Sequence, residues 1–325
     1  MLLLSMVPAA CRRAPSLPFV PPLGVGARVD LTVPGALGTA PVVTSATPFV
    51  AVAWATRDTR GAMVYVATSS DNGATFSPPT PVSKELERVD EAAAVFAEFE
   101  LPAPASHMPP AVRIEWRAAD GERVTRLVRP WTGRTDAEGP GPRAAAVPNL
   151  SCDPFGELLL VSPRQSVLRV SVNHGQAEWA CSNGDVAATV DTRHWIHAAW
   201  VGRGDAGLPR QIFYAASSDG QWFGETQLLA ERRLDAAHVR VTTDPNDTIV
   251  AVWDEAGAVG RTVSMRQIIP AHHGLAKFLS TTQISDAEGG HTPSVASIAG
   301  GVIVAWVDGR GTVAVKRVGL DAICM

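Results

Sequence analysis

Tryptophan recurs at the end of short apolar runs along this chain, and this repeat constrains the fold more than any other feature. Five apolar runs end in tryptophan and continue into a polar, glycine-rich loop: residues 49–54, 111–116, 196–200, 249–253 and 302–306. The tryptophans are 62, 84, 53 and 53 residues apart. The 84-residue interval fits two units, with the apolar run 158–161 in the missing place. Self-similarity at this period is typical of repeat folds, and it predicts six units.

Each unit has the same internal order of short strands. An apolar strand comes first, the tryptophan-ended strand second, and an alternating strand such as residues 63–68 or 211–216 follows a loop. Four short strands in about 50 residues match a blade of a β-propeller. The 28 glycines and 25 prolines agree with this interpretation, because so many turn-forming residues leave little room for long helices.

The two ends of the chain favour a closed ring over an open solenoid, the alternative architecture. The sixth unit stops soon after its third strand, at residues 313–318, and a spare strand at residues 27–33 precedes the first unit. Pairing these strands would close a ring and remove two exposed sheet edges. We therefore predict an all-β, six-bladed propeller over residues 26–325, with the N-terminal strand completing the last blade. Residues 1–25 are predicted to be a leader and linker.

A turn motif after the third strand of the first unit points to a family. Residues 69–76 read Ser-Ser-Asp-Asn-Gly-Ala-Thr-Phe, which resembles the Asp box (Ser-x-Asp-x-Gly-x-Thr-Trp) of sialidase-like propellers, also called the bacterial neuraminidase repeat. A looser copy covers residues 217–222, and one looser still covers residues 171–175. The resemblance implies structural roles, on the face away from the binding site, for Ser69, Asp71, Gly73, Phe76, Ser217, Asp219 and Trp222.

The opposite face of such a propeller consists of the loops between second and third strands, together with the links between blades. Arginine and aspartate recur in these loops, and a funnel ringed by arginines suits an anionic or polyhydroxylated ligand. Ordinary solvated turns are the alternative interpretation. The predicted ligand-binding residues are Arg57, Arg60, Arg203, Asp205 and Arg310.

The resemblance also implies what a sialidase needs: an arginine triad, a tyrosine nucleophile assisted by a glutamate, and an aspartate acid/base. The chain has only Tyr65 and Tyr214, both in third strands, and it lacks the family's Arg-Ile-Pro motif. Sialidase chemistry is therefore not expected. A glycoside hydrolase with two carboxylates about 5–5.5 Å or 6.5–9.5 Å apart is the enzymatic alternative. Its candidate catalytic residues are Asp58, Asp254, Glu255 and Asp308, with Asp120 and Asp205 in the wider set.

The N-terminus predicts export from a bacterial cell. Residues 2–10 form a short apolar run that ends in small residues before Cys11, which resembles a signal peptide with a lipoprotein cleavage site. The alternatives are a disordered start and a misassigned start codon. Export would favour a disulfide between Cys152 and Cys181, with two buried thiols as the alternative. The predicted locations are the periplasm, the cell envelope or the extracellular space.

Charge and motifs narrow the remaining functions. A net charge of −4 gives no electrostatic basis for binding nucleic acid. No Cys/His ligand spacing and no nucleotide loop occurs, so neither a metal nor another cofactor is expected. We predict an exported, non-catalytic propeller that binds a glycan or a protein and contacts a membrane only through a lipid on Cys11. A glycoside hydrolase and a structural subunit of an envelope complex are the alternatives.

Overall fold

The computed structural model shows an all-β protein with 25 strands and no α-helix among the described residues. The described residues are 24–58, 61–84, 95–100, 109–118, 120, 123–129, 131, 134–136, 149–152, 158–161, 167–170, 186–203, 209–218, 223–230, 234–257, 260–271 and 274–320. The strands form six antiparallel sheets, numbered here by chain order.

In sheets 1 to 3, strands that follow one another in the chain lie side by side, because short turns favour antiparallel neighbours. The exception is in sheet 1, where the first two strands both pair with the third. Sheet 1 contains β2 (Leu37–Gly38), β3 (Val42–Ala46), β4 (Phe49–Asp58), β5 (Gly61–Ser69) and β6 (Thr80–Pro81). Sheet 2 contains β7 (Phe96–Glu100), β8 (Ala111–Arg117), β9 (Arg123–Arg129) and β10 (Arg134–Asp136). Sheet 3 contains β11 (Asn149–Cys152), β12 (Leu158–Val161) and β13 (Val167–Val170). The apolar run without a tryptophan is thus the middle described strand of sheet 3.

Sheets 4 to 6 repeat this arrangement. Sheet 4 contains β14 (Val186–Val190), β15 (Ile196–Arg203), β16 (Arg210–Ser217) and β17 (Gln227–Leu228). Sheet 5 contains β18 (Ala236–Thr243), β19 (Ile249–Gly257), β20 (Gly260–Ile269), β21 (Lys277–Phe278) and β22 (Thr282–Gln283). Sheet 6 contains β23 (His291–Ile298), β24 (Gly301–Val307) and β25 (Val313–Gly319).

The fourth strand of sheet 6 comes from the other end of the chain. β1 (Val29–Leu31) pairs antiparallel with β25, with Val29 opposite Val315 and Leu31 opposite Val313. Two further backbone contacts extend the pairing: the Gly26 N–H donates to the Arg317 carbonyl and the Gly319 N–H donates to the Gly24 carbonyl. The spare strand predicted ahead of the first unit therefore lies against the last one.

The first strands of the sheets contact one another in a defined order. β3 contacts β7 and β23, β18 contacts β23 and β14, and β14 contacts β11. Sheet 1 consequently lies between sheet 2 and sheet 6, although sheet 6 is the last in the chain. The backbone N–H of Val43 in β3 also donates to the Ser294 hydroxyl in β23 at 3.0 Å.

The core consists of layers between neighbouring sheets, and period-two alternation assigns each strand residue to one layer. In β4, Val50, Val52 and Trp54 pack toward sheet 6, whereas Ala51 and Ala53 pack toward sheet 2. All five marker tryptophans are buried. In sheets 2, 5 and 6 the marker tryptophan packs against the sheet that comes before it in the chain. In sheet 1 the marker tryptophan packs against sheet 6.

Candidate functional site

The turn over residues 69–76, between β5 and β6, is organised by one carboxylate. Asp71 Oδ1 accepts hydrogen bonds from the Ser69 hydroxyl at 2.7 Å and the Thr75 N–H at 2.9 Å. Asp71 Oδ2 accepts one from the Thr75 hydroxyl at 2.7 Å. Burial alone would raise the pKa of the Asp71 carboxyl, but these hydrogen bonds lower it to about 2. The carboxylate therefore holds the turn together.

The same turn packs against sheet 6. Gly73 has a φ of +76°, and a Cβ at this position would lie 2.4 Å from Ile303 Cδ1. Phe76 packs against the apolar cluster that sheets 1 and 6 share. In the second copy of the motif, Ser217 is the buried last residue of β16. The other two predicted residues of that copy, Asp219 and Trp222, lie outside the described residues.

The loops between second and third strands lie at the opposite end of the sheets, and this end is called the loop face below. Arg57 in β4 is exposed there. Asp58 and Arg203 are the last residues of β4 and β15, and their side chains lie outside the described part of the chain. Arg60 and Asp205 lie outside it altogether. The structure thus tests the predicted ligand face mainly in sheets 5 and 6.

An ion-pair network surrounds the turn between β24 and β25. This Asp308 cluster consists of Arg28, Asp30, Asp286, Glu288, Asp308, Arg310 and Lys316. Asp308 Oδ1 accepts the N–H groups of Arg310 and Thr312, both at 2.9 Å, and Oδ2 accepts from Arg28. Burial would raise the pKa of Asp308, whereas these hydrogen bonds lower it below its ordinary value. Arg310, with 59% of its side chain exposed, reaches Glu288 at 2.8 Å.

A second network surrounds Asp254, whose side chain is 0% exposed, at the loop end of β19. Its Oδ2 lies 2.6 Å from His238 Nδ1 and accepts the Thr292 N–H at 2.8 Å, while Oδ1 accepts from Arg261 Nε. Burial would raise the pKa of Asp254, but the contacts with His238 and Arg261 lower it below its ordinary value. Asp254 is therefore a buried carboxylate with a partner on each side.

Arg261 continues this network to sheet 4. Its Nη1 lies 3.3 Å from Asp235 Oδ2, and Asp235 Oδ1 accepts from Arg210 Nε at 2.6 Å. The hydrogen bond from Arg210 lowers the pKa of Asp235. Since Arg210 belongs to β16 and Arg261 to β20, one carboxylate joins two sheets at the loop face.

Two strained residues meet at Asp254. His238 and Thr292 have φ angles of +53° and +48°, the left-handed region that residues other than glycine rarely adopt. Both lie where the pairing register shifts, in β18 against β19 and in β23 against β24. Such bulges re-aim side chains and occur frequently beside functional sites. Asp254 holds both bulges, and 40% of the His238 side chain is exposed.

The Glu255 carboxylate lies on the opposite face of β19 from the Asp254 carboxylate. Its Oε1 accepts from the Ser264 hydroxyl at 2.9 Å and its Oε2 from Trp253 Nε1 at 3.2 Å, with the residue 1% exposed. Consecutive strand residues point to opposite faces of a sheet, so the two carboxylates diverge. Of the predicted catalytic carboxylates whose side chains are described, Asp254 and Asp308 bind arginines and Glu255 is enclosed.

Both tyrosines are strand residues with partners of their own. Tyr214 is 1% exposed, and its hydroxyl lies 2.7 Å from His197 Nδ1. His197 Nε2 in turn lies 3.3 Å from Asp191 Oδ2. Tyr65 stacks on Trp54 with ring centroids 6.2 Å apart.

Sequence reasoning missed a recurring aspartate turn and the partners of Asp254. In three hairpins an aspartate Oδ1 accepts the N–H groups of the second and fourth residues after it, at 2.8–3.0 Å: Asp191, Asp244 and Asp308. The spacing Asp-x-x-x-Thr/Trp is a local signal that could have identified them. His238, Arg261 and Arg28 carry no such signal, because the buried aspartates that they bind lie 16, 7 and 280 positions away, outside any one turn.

Several predicted features fall outside the described structure. Cys11 and Cys181 lie outside the described residues, and so does the side chain of Cys152 in β11. Within the described ranges, no helix is long and apolar enough to cross a membrane. The same ranges contain no group of three or more His, Cys, Asp or Glu residues placed to hold a metal ion.

No protein-family model and no curated protein sequence matches this chain. Solved structures do match. A Dyadobacter fermentans protein described as of unknown function is 11% identical, with a TM-score of 0.51 over 94% of this chain and 100% of that one. This likeness is one of fold.

Other solved structures are sialidases and glycoside hydrolases. A Trypanosoma rangeli sialidase is 10% identical, with a TM-score of 0.44, and the match covers 90% of this chain but only 58% of the sialidase. An α-L-arabinofuranosidase from Podospora anserina is 11% identical, with a TM-score of 0.40 over 93% of this chain and 95% of that one. At these scores, neither likeness bears on what this chain does.

Proposed function

We propose that residues 26–325 form one six-bladed, sialidase-like propeller in which β1 closes the ring by completing the blade of β23, β24 and β25. Three observations support this proposal. Six sheets follow the repeat, β1 pairs with β25, and sheet 1 packs against both sheet 2 and sheet 6. The hydrogen bonds of Asp71 and the positive φ of Gly73 support Asp-box turns as part of the repeat.

We propose that the propeller is a non-catalytic module that binds a glycan or a protein through its loop face. The observation that carries this proposal is the state of the described carboxylates. Asp254 and Asp308 bind arginines and backbone N–H groups, and Glu255 is enclosed. A nucleophile or an acid/base needs a carboxylate that reaches the substrate. The half-exposed arginine and histidine groups are suited to hydrogen-bonding a polar ligand.

A glycan array and a pull-down from envelope extracts test the proposal, with Arg310→Ala against the matched control Lys277→Ala. Arg310 is at the loop face with 59% of its side chain exposed, whereas Lys277 is exposed on the outer strand β21. Because hydrogen bonds to a charged group contribute about 1.5–3 kcal/mol, Arg310→Ala should weaken binding about tenfold or more. Lys277→Ala should leave it unchanged. Absence of any ligand in both assays would refute the binding function.

A glycoside hydrolase is the second candidate, and one observation favours it. His238 presents an exposed imidazole that is oriented by the buried carboxylate of Asp254, an arrangement that can position a general base. A panel of aryl glycosides tests this candidate. The enzymatic candidate would replace the binding proposal if the wild type hydrolyses a glycoside, Asp254→Asn and His238→Ala abolish that activity, and Arg310→Ala retains it.

Export, with a lipid on Cys11, is proposed from the sequence alone. Fractionation of cells that express the full chain and its Cys11→Ala variant tests it. Lipidation predicts that the wild-type chain is in the membrane fraction and the variant is soluble. Mass spectrometry without reductant tests the Cys152–Cys181 disulfide in the same material.

A further inference from the structure

A groove of about 340 Å³ opens between sheets 4 and 5, at the end of the sheets opposite the loop face. Trp195, in the turn between β14 and β15, and Tyr214, in β16, form one side. Phe223 and Glu225, in the segment between β16 and β17, form another. This volume lies at the small end of the range for ligand pockets, so the groove fits one small group.

The walls of the groove are held in place by hydrogen bonds. The Gly224 N–H donates to the Ala216 carbonyl at 2.8 Å, which fixes Phe223 and Glu225 against β16. The Gln227 side chain connects sheet 4 to sheet 5 by two hydrogen bonds. Its Nε2 donates to the Ala276 carbonyl at 3.0 Å and its Oε1 accepts the Ala276 N–H at 2.8 Å. The groove is therefore a built feature of the sheet junction.

Glu225 is the one charged side chain among the described residues that line the groove. It is exposed, and it forms no ion pair or hydrogen bond with any other described residue. Burial, and then the negative charge of Asp191, raise the pKa of the Tyr214 phenol well above its usual range, so the phenol stays neutral. Among the described lining residues, Glu225 therefore gives the groove its only charge, which is negative.

Three aromatic side chains line the same groove. Trp195 and Phe223 are half-buried, and the buried Tyr214 ring forms part of the wall. Aromatic faces carry negative quadrupole density, which attracts a cation within about 6 Å of the ring centroid. A sugar would need several polar side chains. Among the described polar side chains of the lining, both ends of the Gln227 amide are bonded to Ala276 and Ser217 is buried, which leaves Ser218 and Glu225.

We propose that this groove binds an organic cation, an alkylammonium group, with Glu225 as its counter-ion and Trp195, Phe223 and Tyr214 as its aromatic wall. The half-buried rings of Trp195 and Phe223 contact the apolar methyl or methylene groups of the cation, and the Glu225 carboxylate neutralises its charge. The Tyr214 ring, 1% exposed, completes the wall without presenting a face to the ligand. The site is separate from the loop face, so it does not depend on the binding function proposed there.

Calorimetric titration of the full chain with choline tests the proposal. The matched ligand is 3,3-dimethyl-1-butanol, which has the same shape without the charge. Choline should bind and the neutral alcohol should bind at least tenfold more weakly, the effect of one partly screened charge pair. Binding to vesicles is then compared between phosphatidylcholine and phosphatidylglycerol. Binding to phosphatidylcholine vesicles alone identifies a lipid head group as the source of the cation, whereas binding of choline without vesicle binding identifies the free cation.

Two variants complete the test. Glu225→Gln should weaken choline binding about tenfold, whereas Glu288→Gln, a half-exposed glutamate in the Asp308 cluster, should leave it unchanged. Thermal unfolding checks that Glu225→Gln is folded, as expected for an exposed residue. Equal binding of choline and the alcohol, equal binding by wild type and Glu225→Gln, or no binding of choline would overturn the proposal. Because Arg310 is distant from the groove, loss of loop-face binding in Arg310→Ala with intact choline binding would separate the two sites.

Discussion

Replacement of Gly73 by alanine measures the contact between the first and the last sheet. The φ of +76° costs an alanine about 1 kcal/mol, since the left-handed region is strained for residues with a Cβ. The new Cβ would also lie 2.4 Å from Ile303 Cδ1, well inside a carbon–carbon contact distance of about 3.5–4 Å. Overpacking of this kind costs about 1–3 kcal/mol. Gly73→Ala should therefore lower the free energy of unfolding by about 2–4 kcal/mol.

The structure offers a matched control at Gly35. Its φ is +75°, and a Cβ there would meet nothing within 4 Å. Gly35→Ala should consequently show the backbone cost alone, about 1 kcal/mol. The difference between the two substitutions isolates the steric contact with sheet 6. For about 300 residues, an unfolding entropy of roughly 2 cal/mol/K per residue converts a 3 kcal/mol loss into a decrease of about 5 °C in Tm.

A double-mutant cycle then assigns the clash to Ile303. Ile303→Val removes Cδ1 and should cost about 0.5–1.5 kcal/mol alone. In the Ile303→Val background, Gly73→Ala should cost little more than Gly35→Ala. Urea unfolding of the four proteins gives the coupling energy. Additive effects within about 0.5 kcal/mol, or equal costs at Gly73 and Gly35, would show that the turn does not pack on sheet 6. The ring proposal would then lose one of its contacts.

Three further substitutions, with Asp30→Asn as a control, probe the hydrogen-bonded groups. Asp71 has a folded-state pKa of about 2, below its unfolded value of about 3.9, so its contribution to stability is present above pH 4 and decreases as the pH falls toward 2. The difference in free energy of unfolding between wild type and Asp71→Asn, measured in urea, should therefore decrease between pH 4 and pH 2. Asp254→Asn should lower the free energy of unfolding in urea by about 3–5 kcal/mol, because it leaves Arg261 without its buried anion. Asp30→Asn, where the carboxylate is 41% exposed, should cost less than about 1 kcal/mol. Tyr214→Phe should cost about 1–3 kcal/mol by leaving the buried His197 Nδ1 without its hydroxyl partner, and an unchanged midpoint would contradict the role given to that bond.

The strand order was predictable because each unit carries its own local signals. A marker tryptophan must be buried, and alternation with period two places its neighbours on defined faces. The interval between Trp116 and Trp200 was long enough for a second unit, and β12 is there. The pairing of β1 with β25 followed from a count of unpaired strands. These inferences needed no knowledge of distant contacts.

The loop face was harder to predict, because its chemistry depends on pairs that sequence does not reveal. Arg310 was predicted to bind a ligand and Asp308 was a candidate catalytic residue. In the structure the two bind each other, and Arg310 also binds Glu288. Asp308 also binds Arg28. Arg28 precedes β1 and lies 280 positions before Asp308 in the chain. His238 could not be predicted as a site residue from the sequence, because its exposure depends on a bulge in β18.

The positions of the ion pairs support the proposed binding function of the loop face. Asp235 joins sheets 4 and 5, Asp254 joins sheets 5 and 6, and Arg28 joins β1 to the last hairpin. These ion pairs and hydrogen bonds hold the charged groups of this face in fixed positions. Groups held this way are pre-organised, which lowers the entropic cost of binding a ligand. The lowered pKa values of Asp235, Asp254 and Asp308 keep these carboxylates ionised, which disfavours them as general acids.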